Sequence, residues 1–252
     1  MKTISVYMSL FISLMLVPVS VNAQIVLAAM EDFTPYSWVE SGKQTGIDVE
    51  VIQLLSQKSG IPITVRLTPW KRVVHDTKSG RVDGAIAMFK SDEREGFAIF
   101  IPTPLHESTY KIFVRKGAEF KFDSVSDLYG KSIGQNAGFY ISKAFEQANK
   151  EGLIRVKEST MEANIKRLNA KRIDSLVGNQ QEVYYLLSQM GLSDSIVALP
   201  RPMFPSRGAY LAISKASQVP NKEQVVKKLS ETLKAMKDSG ELNEIYAKYG
   251  QK

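Results

Sequence analysis

Arg94 is the residue that this sequence places most clearly for chemistry. It ends the polar turn 91–94 (Ser-Asp-Glu-Arg), which closely follows the apolar run 85–88. A short apolar run between polar residues is typical of a buried strand in a parallel sheet. Open α/β sheets bind ligands just beyond the carboxyl ends of their strands. Because a guanidinium group matches a carboxylate or phosphate through two hydrogen bonds, the sequence predicts an anion-binding site at Arg94.

Aromatic and acidic residues near the ends of the first predicted strands could complete a pocket. One group lies in the loop after the first strand, one residue begins the helix before the 85–88 strand, and one directly follows that strand. Loops at the carboxyl ends of strands commonly carry binding residues. Their rings either line a pocket or pack within the loop, and we favour the pocket for the loop aromatics. The candidates are Asp32, Tyr36, Trp38, Trp70 and Phe89.

A second set of candidates lies in the second half of the chain. Asn136 and Phe139 belong to a small-residue turn between a predicted strand at 132–134 and a predicted helix at 140–150. Helix N-termini attract anions, so this turn either faces a ligand or is an ordinary strand-to-helix connection. Asn179 follows a third predicted strand and completes the set of candidate site residues.

Other kinds of site find little support in the sequence. His75 and His106 are the two histidines, the chain has no cysteine, and no metal-ligand spacing occurs. No Ser/His/Asp order suggests a catalytic triad, and Gly-Lys-Ser at 130–132 lacks the upstream glycine of a phosphate-binding loop. The acidic pairs at 31–32 and 92–93 are adjacent, which is poor geometry for acid–base catalysis. We therefore expect a binding site with no metal and no cofactor.

The elements that must position these residues form two similar halves. In the first half, the pattern predicts alternating strands and helices, with Asp48 as an N-cap and Gly80 as a helix stop. Arg-Val-Asp at 81–83 and Arg-Ile-Asp at 172–174 precede equivalent strands. Such alternation predicts an α/β fold with two doubly wound lobes.

Composition and the first residues indicate an exported protein. The chain has 252 residues and a net charge of +7, with basic residues spread along its length, which does not favour nucleic-acid binding. An apolar core at 6–19 and Val-Asn-Ala at 21–23 predict a secretory signal peptide, residues 1–23, cleaved after Ala23. The apolar run is short for a membrane span. Without cysteines there are no disulfides, and we expect the mature protein in the periplasm.

The residues quoted so far resemble the family 3 periplasmic solute-binding proteins, in their amino-acid-binding branch. The turn 91–94 looks like the Thr-Pro-Glu-Arg turn of that family, and Asp-Leu-Tyr-Gly-Lys at 127–131 looks like its second-lobe start. Pro-Trp-Lys-Arg at 69–72 resembles one subgroup. The resemblance implies a type II periplasmic binding protein, in which two lobes joined by two crossing strands close on a ligand. It also implies that Arg94 binds a ligand carboxylate and that Trp70 is a wall residue.

The same resemblance predicts the lobe boundaries and the partners. Residues 24–112 and 209–252 would form the first lobe and 113–208 the second, with crossings near 110–114 and 209–214. The partners would be a small carboxylated solute, possibly an amino acid, and an ABC transporter permease or a membrane sensor, and the protein would be a monomer. Two departures bear on the ligand. Phe139 replaces a family threonine, and Asn179 replaces the aspartate that binds the ligand ammonium.

Two alternatives to a transport-type binding protein remain at this point. Periplasmic dehydratases of the cyclohexadienyl type look similar overall, but they need an acid–base group in the cleft, where position 179 is Asn. A sensor domain of a larger receptor is the other alternative, and we expect it less because no membrane segment or signalling domain follows Lys252. A non-enzymatic binding protein is the favoured interpretation.

Overall fold

Two five-stranded sheets with helices packed against them make up residues 24–249, the part of the chain that the computed structural model describes. The predicted signal peptide, residues 1–23, lies outside the described residues. None of the helices between residues 24 and 249 has the length and apolar character that a membrane crossing requires. The two sheets confirm the predicted fold class of two α/β lobes.

The first lobe is built on a sheet with three adjacent parallel strands and two antiparallel ones. From edge to edge its strands are β4 (Ile63–Thr68), β1 (Ile25–Met30), β5 (Gly84–Met88), β12 (Arg207–Ser214) and β6 (Ala98–Ser108). A short hairpin, β2 (Trp38–Glu40) and β3 (Lys43–Thr45), lies beside it. Its helices are α1 (Ile47–Ser59), α2 (Trp70–Ser79), α3 (Asp92–Phe97), α7 (Lys222–Asp238) and α8 (Glu241–Lys248).

The second lobe repeats this plan with fewer helices. Its strands are, in order, β11 (Ile196–Pro202), β7 (Tyr110–Arg115), β10 (Ser175–Asn179), β8 (Ser132–Asn136) and β9 (Arg155–Ser159). A 3-10 turn, Val125–Leu128, precedes α4 (Lys143–Lys150), α5 (Met161–Asn169) and α6 (Gln180–Gln189). Helix α4 begins three residues after the predicted start at 140, because Ser142 is its N-cap and accepts a hydrogen bond from the Phe145 amide.

The chain passes between the sheets twice. Strand β6 ends at Ser108 in the first sheet, and β7 begins at Tyr110 in the second, so the first change of sheet occurs at Thr109. The return runs through residues 203–206, between β11 and β12. Arg207 pairs with Ser108 in the first sheet, so the two connections lie side by side.

Apolar side chains are buried on both faces of each sheet. In β1, the neighbours Leu27 and Ala28 belong to different apolar clusters, as residues on opposite faces of a strand must. In β10, the neighbours Leu176 and Val177 also belong to two different apolar clusters. Each lobe is therefore doubly wound, with its own core.

Equivalent aspartates start the strands of the two lobes, as the repeated Arg-x-Asp sequences predict. Asp83, just before β5, accepts a hydrogen bond from the Val26 amide of β1 at 2.8 Å. Asp174, just before β10, accepts one from the Ser132 amide of β8 at 2.7 Å. Each carboxylate ties the start of one strand to the start of the adjacent parallel strand.

The prediction that Asp48 caps helix α1 is wrong. The N-cap is Gly46, at φ 117°, and a Cβ there would lie 2.3 Å from the Tyr36 carbonyl oxygen. Only glycine fits this close approach with that backbone conformation. Asp48 is instead the second helical residue and is buried at 1% exposure. The tight packing of Gly46 on the first loop turns this carboxylate toward the interior.

Candidate functional site

A small cavity lies where the two lobes meet, at the carboxyl ends of β1 and β5. Its volume is about 30 Å³, which accommodates only about one or two water-sized groups. Met30, Ala87 and Arg94 line it from the first lobe, and Phe139 and Tyr140 line it from the second. The position is the one that an open α/β sheet offers to a ligand.

Arg94 lies in this cavity with much of its hydrogen-bonding capacity unused. Ser91 caps α3 by accepting a hydrogen bond from the Arg94 amide, which sets the direction of the side chain. The guanidinium donates from Nη1 to the Phe89 carbonyl at 3.1 Å and lies 5.5 Å from the centre of the Trp70 ring. Burial lowers the pKa of Arg94 from its ordinary value, an effect opposed by the charge of Glu93.

No carboxylate within residues 24–249 forms an ion pair with Arg94. Its side chain is nonetheless almost fully buried, at 6% exposure. A buried charge without a counter-charge is unfavourable, and a guanidinium group has five donors, arranged to bind planar anions. Arg94 can therefore hold a carboxylate, as its position in the sequence predicts.

Aromatic rings from both lobes surround the guanidinium. Phe139 of the second lobe reaches the first lobe, where its ring centre lies 5.7 Å from that of Trp70 and 6.1 Å from that of Phe33. Phe89 packs edge-on against Tyr110 on another side, at 5.5 Å. Of the aromatic candidates predicted from sequence, Trp70, Phe89 and Phe139 thus line the cavity.

The cavity also contains an acidic region that the sequence analysis did not identify. Asp48 and His106 both line it, and Asp48 Oδ1 lies 3.3 Å from His106 Nε2. Neither of these two atoms has a hydrogen-bond partner within the described chain. On its other side, His106 Nδ1 lies 3.2 Å from Ser108 Oγ. The His106 ring stacks on Tyr36, with the ring centres 4.1 Å apart.

Tyr36 and Asn179 support this region from behind rather than lining the cavity. Tyr36 is buried at 1% exposure, and its ring stacks between Phe33 and His106. Asn179 donates from Nδ2 to Ser108 Oγ at 3.3 Å and to the Tyr36 hydroxyl at 3.4 Å. The site residues of the two lobes are therefore joined by hydrogen bonds.

Three other predicted site residues do not line the cavity. Asp32 is exposed, because it occupies a turn with φ 54° that directs it outward. Trp38 belongs to the hairpin strand β2 and packs edge-on against Tyr249, 6.0 Å between ring centres. Asn136 is buried beside Glu182, to which its Nδ2 donates at 2.9 and 3.1 Å. The sequence left two alternatives for Trp38, and the structure contains the less favoured one, in which the ring packs outside the pocket.

The amide oxygen of Asn179 is also unavailable to a ligand. It accepts hydrogen bonds from the Gln181 and Glu182 amides at 2.9 and 3.1 Å and so caps helix α6. The adjacent Glu182 is fully buried, and this burial raises its pKa to about 8, with the hydrogen bond from Asn136 opposing the shift. Neither residue reaches the wall of the cavity.

Sequence reasoning missed Asp48, His106 and Ser108 for identifiable reasons. His106 and Ser108 are two apart on β6 and therefore share one face of the strand, which is a weak signal by itself. Asp48 resembled a cap because it follows Gly-Ile at a helix start. Only the fold brings the start of α1 and the end of β6 together.

Contacts across the lobe interface continue outside the cavity. Lys71 of the first lobe and Glu158 of the second form an ion pair at 2.5 Å, and the Gly138 amide also donates to Glu158 at 3.3 Å. Arg207 donates to the Ile141 carbonyl at 2.8 Å. The Pro-Trp-Lys-Arg sequence thus contributes Trp70 to the cavity and Lys71 to the interface, whereas Arg72 is exposed.

Comparisons with known proteins agree with this architecture. The family model of the bacterial extracellular solute-binding proteins, family 3, matches residues 25–252. The probable amino-acid-binding protein YxeM of Bacillus subtilis is 25% identical over 162 residues, which is 63% of this chain and 60% of that protein. The L-cystine-binding protein TcyJ of Escherichia coli K12 is 24% identical over 219 residues, 86% of this chain and 79% of that protein.

Solved structures share the fold. An ancestral arginine-binding protein bound to arginine superposes with a TM-score of 0.76 at 22% identity, and the match covers 90% of this chain and 97% of that structure. The fold is that of the type II periplasmic binding proteins, as the sequence predicts.

Proposed function

This chain belongs to the bacterial extracellular solute-binding proteins, family 3, and from that premise we propose that it captures a small carboxylated solute, such as an amino acid, between its lobes. The relatives include proteins named as binding L-cystine and arginine, and two named as probable histidine-binding proteins. The ligand carboxylate would lie against Arg94, with Trp70, Phe89 and Phe139 around it. The captured solute would be presented to an ABC transporter in the periplasm, and the protein would act as a monomer.

The observation that carries this proposal is the buried Arg94 without an acidic partner. Its guanidinium is almost completely removed from water, yet the one hydrogen bond that it makes within residues 24–249 goes to a backbone carbonyl. A ligand carboxylate would supply both the missing charge and the missing acceptors. The surrounding rings would exclude water, which strengthens the charge pair.

Binding by this mechanism requires motion of the lobes. The cavity has little free room, about 30 Å³, and Phe139 occupies the space beside Trp70. We propose that the lobes separate about Thr109 and residues 203–206, admit the solute and close again. The predicted lobe boundaries, after residues 112 and 208, lie a few residues beyond these two connections.

A binding role is favoured over the dehydratase alternative by the positions of the acids. Glu182 has the raised pKa that a catalytic acid needs, but it is held by Asn136 away from the cavity. Asp48 and His106 do line the cavity, and we propose that they bind rather than react. Within the family, the Pro-Trp-Lys-Arg sequence would mark a subgroup in which Lys71 holds the closed lobes together.

Ligand identification tests the proposal directly. The purified protein would be denatured and the released small molecules analysed by mass spectrometry, and the twenty L-amino acids and L-cystine would be titrated by calorimetry. We expect a carboxylated solute in the first experiment and binding of at least one amino acid in the second. A released solute without an anionic group, together with no binding in the titrations, would contradict the proposed function.

A further inference from the structure

The cavity contains a carboxylate, on Asp48, that has no part in binding an anion at Arg94. Asp48 is buried at 1% exposure and is the one carboxylate among the described residues that line the cavity. Its Oδ1 atom has no hydrogen-bond donor within the described chain, and His106 Nε2 lies 3.3 Å from it. Whether this carboxylate is available to a ligand depends on the state of that histidine.

A chain of hydrogen bonds leads from Asn179 through Ser108 to His106. The amide oxygen of Asn179 accepts from two backbone amides, so its Nδ2 must be the group that faces Ser108. Ser108 Oγ accepts that hydrogen bond and can donate its own hydrogen to His106 Nδ1, 3.2 Å away. A neutral ring that accepts at Nδ1 carries its proton on Nε2, and Nε2 is the atom that faces Asp48.

In that arrangement the histidine offers Asp48 one ring N–H group. The 3.3 Å contact between Nε2 and Oδ1 lacks the geometry of a hydrogen bond, so the carboxylate keeps acceptor capacity for a ligand. Arg94 lines the same cavity and forms no ion pair with a carboxylate of residues 24–249. The first lobe thus presents one cationic and one anionic side chain, each with unused hydrogen-bonding capacity, to a single small space, which is the complement of a zwitterion.

Asn179 cannot replace Asp48 in this role. Its oxygen is committed to the cap of α6, and its nitrogen is a donor, as an ammonium is. Glu182 and Asn136 bind each other away from the cavity. The candidate acceptor for a cationic ligand group therefore lies at the start of α1.

We propose that Asp48 accepts the ammonium group of the solute, positioned by His106, so that the first lobe holds both charged ends of an α-amino acid. This inference rests on the proposed function, because it takes the solute carboxylate to lie at Arg94. The second lobe then contributes the Phe139 ring and, through Asn179 and Ser108, the orientation of His106. It contributes no charge to the ligand.

The test compares amino acids with acids that lack the amino group. Each L-amino acid or L-cystine that binds in calorimetry is paired with its des-amino acid, for example L-phenylalanine with 3-phenylpropanoate. We expect the wild type to prefer the amino acid by about 30-fold or more, the typical loss when one member of a buried charge pair is removed. Asp48→Asn should remove most of that preference, because the amide keeps the shape of the side chain but not its charge.

Arg94→Gln is the matched control, since it should weaken both members of each pair and keep their ratio. If the wild type binds both members equally, or if Asp48→Asn keeps the preference, the inference is overturned while the proposed function stands. If nothing in the panel binds, both are overturned. Circular dichroism checks the fold of each variant. Should Asp48→Asn not fold, a crystal structure of the wild type with its tightest-binding amino acid decides: the ammonium must lie within hydrogen-bonding distance of Asp48, and any other position refutes the inference.

Discussion

Strand β5 of the first lobe and strand β10 of the second begin in the same way and end differently. Asp83 and Asp174 each tie their strand to a parallel neighbour. Beyond β5, a capped turn carries Arg94 into the cavity with its charge uncompensated. At the last position of β10, Asn179 uses its oxygen to cap the next helix. Both residues lie at or beyond the ends of equivalent strands, but only Arg94 has hydrogen-bonding capacity that the protein leaves free for a ligand.

The largest expected effect is on ligand binding at Arg94, the residue beyond β5 whose hydrogen-bonding capacity is unused. Arg94→Gln should weaken binding of the carboxylated ligand by about 2–5 kcal/mol, because the ligand anion is then buried without a counter-charge. The melting temperature of the unliganded protein should stay the same or rise, since an unpaired buried charge has been removed. Calorimetry and thermal melting measure the two quantities. Arg72→Gln, an exposed change of the same type, is the control, and wild-type affinity in Arg94→Gln would refute the assigned carboxylate site.

The pH dependence of stability that Glu182 causes tests whether the second lobe can bury this carboxyl group as a charge. Burial raises its pKa to about 8 from an ordinary 4.5, so the folded state binds this proton more tightly than the unfolded state does. The resulting stability is complete below about pH 4.5 and is lost as the pH rises toward about 8. The unfolding free energy of the wild type should fall by an amount on the order of 4 kcal/mol across this range, and Glu182→Gln, which imitates the neutral acid, should lack this fall.

Urea unfolding of wild type and Glu182→Gln at several pH values between about 5 and 9 measures this difference. The difference between the two proteins isolates Glu182 from the other titrating groups. Parallel pH profiles would show that the carboxyl group titrates normally and that the second lobe tolerates its charge.

Asp83 and Asp174 have the same structural role, but their replacement should cost different amounts of unfolding free energy. Asp83 accepts from the Val26 amide and, at 2.5 Å, from the Ser217 hydroxyl, and it is partly buried. Asp83→Ala should cost about 2 kcal/mol of unfolding free energy, because its partners lose a charged acceptor. Asp174 is exposed, so water can replace it and Asp174→Ala should cost about 1 kcal/mol. Denaturant unfolding compares them, and a larger loss in Asp174→Ala would reverse the ranking.

The smallest expected effect is at the ion pair between the lobes. Lys71 and Glu158 are 63% and 37% exposed, and such pairs contribute at most about 1 kcal/mol. Glu158→Gln should therefore weaken ligand binding by no more than about 5-fold, and the loss should diminish at high salt. Glu162→Gln, which breaks a Lys166 pair within one helix, is the matched control. Equal effects of the two changes would show that the interface pair does not contribute to closure.

The sequence predicts the first lobe well where local signals are strong. Helix α2 ends at Gly80, which has φ 74°, and β5 and the cap at Ser91 follow as the pattern indicates. These features are encoded within a few neighbouring residues. The position of Arg94 depends on them alone, which is why it could be predicted.

The acidic region could not be predicted because its parts are distant in sequence. Asp48, His106 and Asn179 come from three elements, and whether each is available depends on which partners the fold supplies. One local signal was present and unused: Asn179 and Glu182 have the spacing of a helix cap and its N3 acid. It would have identified Asn179 as a cap and shifted the search for an ammonium acceptor elsewhere.

The Phe139 ring has a consequence for the rate at which solute enters. Because it packs on Trp70 and Phe33 from the opposite lobe, the solute competes with a side chain of the protein itself for the same surface. Each capture must wait for a spontaneous opening that withdraws the ring. We therefore expect the observed association rate to rise with solute concentration and then level off at the opening rate, so that the protein, rather than diffusion, sets the pace of uptake when solute is abundant.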